Sequence, residues 1–241
     1  MVRSKEFKVW ISIIIILGIV VALVFMISKF IDSNKTEKVQ NQVKHAPVLG
    51  KKDAENTIVI YADFSCPHCR EFDHAMTDEL KREYVDSGKA NIRFVNGGLL
   101  GDDSVYKSVA AYAVYEHAPD KYWEFNRKLF EEQTQKSQGK AEDKISLKNT
   151  DVSQKQVDSV LSNVSEVKHV NSILKDIDVS NVDIERIQAD LKNANSNAWN
   201  SIMKDRKIMN DNTIKTVPSV YVNGKQIQSP TQFQEYDKII K

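Results

Sequence analysis

The sequence contains only two cysteines in 241 residues, Cys66 and Cys69. So small a number excludes a scaffold held by several disulfides and a zinc site of four cysteines. Neither sign of charge is in excess, because 34 Lys and Arg residues balance 33 Asp and Glu residues to a net charge of +1. A dedicated nucleic-acid-binding protein should carry a clear basic excess, so no nucleic-acid partner is expected. Hydrophobic residues form 41% of the chain, which argues against disorder over most of its length.

One long hydrophobic run lies near the N-terminus, at residues 9–27, and it contains no charged side chain. As a helix this run would be roughly 28 Å long, close to the ~30 Å hydrocarbon core of a membrane. A buried helix is one alternative, but it is rarely apolar on every side. A cleaved secretory signal is the other, but it needs small residues before the cleavage point, which are missing here. We therefore expect an uncleaved, single-pass transmembrane helix.

Charge around this run predicts its orientation. The flank at residues 1–8 carries three basic residues, which favours a cytoplasmic N-terminus and places the rest of the chain on the outer face of the cell membrane. Residues 28–46 are rich in Lys, Asn, Gln and Glu and are interpreted as a polar tether, either flexible or a helical stalk. Residues 47–241 are expected to form the folded domain.

The pattern within this domain predicts two α/β segments that flank a helical block. The first segment is a buried strand at 57–64, a helix with Phe72, Met76 and Leu80 on one face, and a strand at 91–95. The last segment is a hairpin turning at Asn223-Gly224, followed by a helix at 231–240. In between, helices are predicted over 105–113, 123–130, 157–161, 167–174 and, capped by Ser180 or Asn181, 184–202, with a loop at 133–149.

Cys66 and Cys69 flank Pro67 and His68 where the first predicted strand passes into a helix. At a helix N-terminus the free backbone N–H groups and the helix dipole favour a thiolate, and Pro67 is tolerated because its missing N–H would have no partner. His68 adds positive charge or a hydrogen-bond donor. Cys69 is placed to attack a mixed disulfide formed at Cys66. The spacing therefore predicts catalysis by Cys66 as nucleophile, Cys69 as resolving thiol and His68 as their support.

Two other interpretations of this motif stay open. A structural disulfide across so short a loop would remove little chain entropy, roughly 2 kcal/mol against ~4.7 kcal/mol for a 100-residue loop. Metal binding could use Cys66, Cys69, His68 and His74, but His68 lies between the thiols and no second paired cluster exists. We expect no bound metal.

Residues 61–69, Tyr-Ala-Asp-Phe-Ser-Cys-Pro-His-Cys, and residues 216–225, Thr-Val-Pro-Ser-Val-Tyr-Val-Asn-Gly-Lys, carry a resemblance to a known family. The chain resembles the thioredoxin superfamily, and more closely the DsbA-type thiol:disulfide oxidoreductases that are membrane-anchored in Gram-positive bacteria. The resemblance covers roughly residues 47–241. It implies an α/β thioredoxin fold with a helical insertion at about 100–209, between the βαβ and ββα halves.

The resemblance also implies roles for residues outside the cysteine pair. Pro218 is expected to form a cis peptide bond and to pack beside the cysteine pair, while Val217 offers its backbone to an extended substrate segment. Pro67 is grouped with these two residues as support of the active site. The pair Pro67-His68 between the cysteines is typical of oxidising members. Ile60 stands where thioredoxins carry a buried acid, so a thioredoxin-type proton relay is not expected. No cofactor is implied beyond the redox-active disulfide between Cys66 and Cys69.

These features predict an extracytoplasmic oxidase that makes disulfides in reduced exported polypeptides and is reoxidised by a membrane partner, by family analogy a quinone-coupled one. The rival functions are a membrane-tethered reductase or isomerase, and a non-enzymatic metal carrier or peptide-binding module. His68 and the helix terminus are hypothesised to lower the pKa of Cys66. Each unit by which that pKa falls below ambient pH makes the reduction potential of the cysteine pair about 30 mV more oxidising. Asp63 has either a local role at the site or a structural one as a solvated or capping carboxylate, and Asp102 and Asp103 are interpreted as helix N-cap residues.

Overall fold

The computed structural model of the protein describes residues 2–133 and 151–240. The chain divides into two compact units, Met1–Asn41 and Gln42–Lys241. The predicted loop at 133–149 lies outside the described residues, apart from Gln133.

The first unit is helical. Helix α1 runs over Val2–Gln42, and its large apolar side chains from Ile13 to Ile27 are exposed. Within the described residues, no helix combines the length and the hydropathy that a membrane crossing requires. The transmembrane helix therefore stays a prediction. The segment predicted as a polar tether is helical as far as Gln42, and side chains of the second unit are already buried at Val43 and Ala46.

A five-stranded sheet with the order β1-β3-β2-β4-β5 lies at the centre of the second unit. Its strands are β1 (Val48–Leu49), β2 (Asn56–Ala62), β3 (Ala90–Asn96), β4 (Ser219–Val222) and β5 (Lys225–Gln226). β2 and β3 are parallel, and the other neighbouring strands are antiparallel. Strand β1 was not predicted, because two residues are too few to show a periodicity.

Burial explains why β2 and β3 occupy the middle of the sheet. Every residue of both strands is buried, including the polar Asn91 and Arg93 of β3. The register pairs Ala62 with Asn96 and Tyr61 with Ser219. The end of β2, the end of β3 and the start of β4 therefore meet at one edge of the sheet, where three loops come together.

The chain that follows the cysteines is helical up to residue 85. It consists of α2 (Pro67–Phe72), a π-helical turn (Asp73–Thr77), α3 (Asp78–Leu80) and a second π-helical turn (Lys81–Val85). Gly88, with φ +75°, takes a left-handed conformation just beyond this stretch, as its predicted role in ending the helix requires. The π-helical turns have no signature in the apolar spacing and were not predicted.

Six α-helices fill the described residues between β3 and β4. They are α4 (Asp102–His117), α5 (Tyr122–Glu131), α6 (Gln154–Asn163), α7 (Val167–Asp176), α8 (Asn181–Lys192) and α9 (Asn197–Asp211). Helix α4 is buried on all sides from Ser104 to Val114, because α5, α6, α8 and α9 pack around it. The predicted helical insertion is confirmed.

The single long helix expected at 184–202 is wrong, because the chain breaks between α8 and α9. Ser180 caps α8 by accepting a hydrogen bond from the Asp183 N–H, as predicted. A second cap follows at Ser196, whose hydroxyl accepts from the Trp199 N–H at 3.3 Å. Asn193 ends α8 in an extended conformation. The polar residues between the two helices bond to nearby backbone and so compete with helix continuation.

The N-cap role expected of Asp102 and Asp103 is also wrong. Gly101 is the N-cap of α4, and both aspartates lie in the first helical turn. Their carboxylates bind the junction between α6 and α7 instead: Asp102 accepts from Asn163 Nδ2 at 2.9 Å, and Asp103 accepts from the Ser165 N–H at 2.7 Å. They tie α4 to the next helices of the insertion.

The C-terminal hairpin matches the prediction. Asn223 and Gly224 have φ values of +52° and +75°, the left-handed conformations that a two-residue turn between twisted strands requires. The closing helix is shorter than the predicted 231–240, since only α10 (Gln234–Asp237) is α-helical.

Candidate active site

The cysteine motif lies where β2 passes into α2, as the sequence predicts. Cys66 is the N-cap residue, with an extended backbone, and its carbonyl accepts hydrogen bonds from the N–H groups of Cys69 and Arg70. Pro67 is the first helical residue, a position where it costs no hydrogen bond. The Cys66 side chain is therefore at the end of the helix that carries the free N–H groups and the positive end of the dipole.

The Cys66 thiol is more acidic than an ordinary cysteine. Its pKa is lowered from 9.0 to about 7, chiefly by a hydrogen bond from the Cys69 side chain and further by backbone N–H groups of Cys69 and His68. Burial and the negative charge of Asp63 oppose this shift. At neutral pH a large share of Cys66 is therefore thiolate, the form that attacks and exchanges disulfides.

Cys69 has the opposite character. Its side chain is only 1% exposed, and burial raises its pKa, with further contributions from the hydrogen bond to Cys66 and the charge of the Cys66 thiolate. Both cysteines are free thiols in this structure. Cys66 is thus stabilised as a thiolate, whereas Cys69 stays protonated and donates a hydrogen bond to the Cys66 sulfur.

His68 is exposed, and its ring Nδ1 lies 3.1 Å from Glu71 Oε2. This hydrogen bond raises the pKa of His68, and the charges of Glu71 and of the Cys66 thiolate add to the effect. The part of His68 that lowers the pKa of Cys66 most directly is its backbone N–H. The sequence anticipated a role for the imidazole but not its pairing with Glu71.

Val217 and Pro218 meet the cysteine motif across the sheet. The peptide bond between them is cis, as the resemblance implied. The Cys66 thiol lies 3.6 Å from the Val217 carbonyl oxygen, to which it donates a hydrogen bond. These residues are 151 positions apart in sequence. They meet because β4 pairs with β2 so that Ser219 lies opposite Tyr61.

Of the two carboxylate roles considered for Asp63, solvated or capping, the solvated one is wrong. Asp63 is not solvated, since its exposure is 0%. It accepts hydrogen bonds from the Ser65 N–H and from the Ser104 hydroxyl. A carboxylate directly after a fully buried strand was a signal that it would be buried with several donors.

A second contact joins the turn before Cys66 to the insertion. Gln133 Nε2, just beyond α5, donates a hydrogen bond to the Phe64 carbonyl at 2.8 Å. Outside the motif, an open groove of about 550 Å³ runs along α2 beside Pro67, lined by Arg70, Glu71, His74 and Ala75. It offers room for a polypeptide segment beside Pro67.

The ligand set considered for a metal does not converge. In residues 2–133 and 151–240, the one group of three His, Cys, Asp or Glu side chains whose ligand atoms lie within 4.8 Å of one another is Glu116, His117 and Asp190. It includes neither cysteine.

Comparison with known proteins places this geometry in a family. The family model described as Thioredoxin matches residues 42–241. The chain belongs to the thioredoxin family. This thioredoxin-family chain is 28% identical over 214 residues to Disulfide bond formation protein D of Bacillus subtilis, a match covering 86% of the chain and 82% of that protein.

Solved structures of similar fold include two from Gram-positive bacteria. Oxidised BdbD of Bacillus subtilis gives a TM-score of 0.54 at 24% identity, covering 82% of this chain and 92% of that one. MdbA, a thiol-disulfide oxidoreductase of Corynebacterium diphtheriae, gives a TM-score of 0.53 at 22% identity, covering 80% of this chain and 89% of that one. The recognition of a DsbA-type thiol:disulfide oxidoreductase is confirmed, and the thioredoxin-family chain is an enzyme of that class.

Proposed function

We propose that this oxidoreductase is a membrane-anchored dithiol oxidase, which makes disulfides in exported polypeptides through Cys66-Pro67-His68-Cys69. The observation that carries the proposal is the opposed acidity of the two thiols. The pKa of Cys66 is lowered to about 7, while burial raises that of Cys69. A structural disulfide needs no such difference, whereas stepwise exchange needs one sulfur that serves both as the point of attack and as a stable leaving group.

The reaction begins from the disulfide between Cys66 and Cys69. A substrate thiolate attacks Cys66 Sγ, so that a mixed disulfide forms and Cys69 leaves with the electron pair and takes up a proton. A second substrate thiolate then attacks the substrate sulfur of the mixed disulfide. The substrate disulfide forms and Cys66 leaves as a thiolate, so two electrons have passed from the substrate to the cysteine pair. No bound cofactor is required, because the pair itself carries both electrons.

The direction of electron flow is supported by two observations. The relative in Bacillus subtilis is named for disulfide bond formation. In addition, Pro67-His68 is the dipeptide typical of oxidising members of the DsbA-type family that the chain resembles. Reoxidation then requires a separate partner, which we propose is a quinone-coupled membrane protein.

The proposed location outside the cytoplasm rests on residues 9–27 and their basic flank. An apolar run of this length suits a single membrane-spanning helix with its N-terminus in the cytoplasm. The catalytic unit would then face newly exported chains on the outer surface, where disulfides persist. An excess of one charge is not needed for such substrates, which agrees with the near-neutral composition.

The proposal is tested by transfer of oxidising equivalents. The full chain, oxidised and held in detergent micelles, is mixed with reduced, unfolded ribonuclease A, and free thiols are counted over time. We expect each protein molecule to remove two substrate thiols and to gain two of its own. Cys66→Ser should abolish the transfer, and Cys69→Ser should accumulate mixed disulfides in redox buffer. Transfer that persists in Cys66→Ser would refute the assigned site.

A further inference from the structure

Asp63 lies in the turn leading into Cys66, and the hydrogen bonds of its carboxylate join that turn to the helical insertion. Oδ1 accepts from the Ser65 N–H at 2.8 Å, next to Cys66 in sequence. Oδ2 accepts from the backbone N–H groups of Leu99 at 2.6 Å and Leu100 at 3.3 Å. The Ser104 hydroxyl, in the first turn of α4, lies 2.6 Å from both oxygens.

These donors hold the carboxylate but do not neutralise it. No Lys, Arg or His side chain in residues 2–133 and 151–240 forms an ion pair with Asp63, and its exposure is 0%. A buried carboxylate without a counter-ion is costly to fold, and neutral donors offset only part of that cost. A purely structural link between the turn and the insertion could be made by a neutral side chain, so the charge itself calls for an explanation.

The charge lies against the reactive sulfurs. The Cys66 N–H bonds to the Asp63 carbonyl at 3.1 Å, and the Asp63 backbone N–H is a hydrogen-bond donor to the Cys69 sulfur. In this water-poor setting a fixed negative charge repels a thiolate at either cysteine, and it raises the pKa of both. His68, whose charge interacts with that of the Cys66 thiolate, is at the surface together with its partner Glu71.

We propose that Asp63 is a positioning residue that fixes the Cys66 turn against the insertion and, through its uncompensated charge, restrains how oxidising the cysteine pair is. The helix terminus and the Cys69 hydrogen bond stabilise the Cys66 thiolate and therefore the reduced pair. Asp63 works against them, so that the disulfide is reduced less readily than the helix terminus alone would allow. This inference rests on the proposed role of Cys66 as the reactive thiol.

The test compares full-length Asp63→Asn and Asp63→Ser with the parent protein. Removal of the charge should lower the midpoint of Cys66 alkylation by iodoacetamide. It should also shift the equilibrium with glutathione at pH 8 toward the dithiol, by roughly threefold or more if the loss of repulsion approaches half a pKa unit. A merely structural role predicts lower stability in urea with either no shift or the opposite one, because a distorted turn loses the donors that favour the thiolate.

Asp205→Asn is the matched control. Asp205 is another fully buried carboxylate, which accepts from the Asn96 N–H and the Tyr112 hydroxyl. Unlike Asp63 it is paired with a histidine, His45 Nε2 at 2.8 Å, and it is not among the groups that shift the pKa of Cys66. It should lose stability without moving the alkylation midpoint.

The outcomes separate the inference from the proposed function. A parent midpoint near 9 would show that Cys66 is not the activated thiol, and both ideas would fall. A parent midpoint near 7 that stays in place in a folded Asp63 variant would overturn only the role of Asp63. Failure of both neutral variants to fold, while Asp205→Asn folds, would reduce Asp63 to a structural link and would also overturn the redox role.

Discussion

At the scale of single residues, the two cysteines differ because of what surrounds each sulfur. Cys66 is at a helix terminus and receives a hydrogen bond from Cys69, whereas Cys69 is enclosed. The sequence predicted this division from spacing alone. It could not predict that Cys69 itself is the largest influence on Cys66, because that depends on the orientation of the side chains.

Cys69→Ala should therefore raise the pKa of Cys66 above its value of about 7. The substitution removes the largest stabilising hydrogen bond to the thiolate, while burial and the charge of Asp63 continue to oppose it. The pH dependence of iodoacetamide alkylation in the full chain measures the midpoint. Cys66→Ala is the control, and its Cys69 should react slowly from pH 6 to 8. An unchanged midpoint in Cys69→Ala would contradict this account of the acidity.

His68 allows its backbone and ring contributions to be separated. His68→Pro removes both the backbone N–H and the imidazole, whereas His68→Ala keeps the N–H. We expect His68→Pro to make the disulfide harder to reduce and His68→Ala to have a smaller effect in the same direction, since the exposed ring is already paired with Glu71. Equilibria with glutathione measure both. Equal effects would assign the influence to the ring, and no effect in either variant would remove His68 from the explanation.

At the scale of elements, the sequence predicted the strands and helices that have a regular apolar pattern and missed the breaks within that pattern. Apolar periodicity predicted β2, β3 and most of the insertion helices. It also joined α8 to α9, because the stripe from Ile184 to Ile202 continues through a break that only local hydrogen bonds reveal. The burial of Asp63 was missed for a different reason: most of its donors come from a loop and a helix about 40 residues later in the sequence.

Ser196→Ala tests the physical cause of that break. Its hydroxyl caps α9 and also donates to the Asp190 carbonyl at 3.0 Å. The change should lower the free energy of unfolding by about 1 kcal/mol, as is usual for loss of an N-cap. Urea denaturation of the full chain measures it. Ser201→Ala, within α9 and half-buried, should change stability by less than about 0.5 kcal/mol, and an equally small effect of Ser196→Ala would show that the cap does not hold the helix start.

At the scale of the whole molecule, the site forms because three loops that are distant in sequence meet at one edge of the sheet. The turn at 63–66, the chain after β3 and the Val217–Pro218 bond meet there through the pairing of β2 with β3 and β4. The resemblance implied this arrangement from two short segments. Without the resemblance, the residue patterns predicted the strands but not their order in the sheet, because β4 is separated from β3 by the whole insertion.

The placement of the molecule at a membrane is open to direct measurement. In cells, the full chain should stay in the membrane fraction after alkaline washing, and Cys66 should react with a membrane-impermeant maleimide without permeabilisation. Replacement of Ile15 and Val20 by Lys should release the protein, because each buried charge costs about 3 kcal/mol in a membrane helix. Replacement of both by Leu is the control. Retention of the double Lys variant, or labelling only after permeabilisation, would contradict the proposed anchor or its orientation.

The proposed role of the cysteine pair is that of an oxidant of other proteins. Its most direct test is the reduction potential of the full chain in detergent, from equilibrium with reduced and oxidised glutathione at pH 7. We predict a value more oxidising than about −200 mV, on the side of the scale where disulfide donors lie. A value near −270 mV, about that of thioredoxin, would contradict the oxidase assignment and favour a reductase.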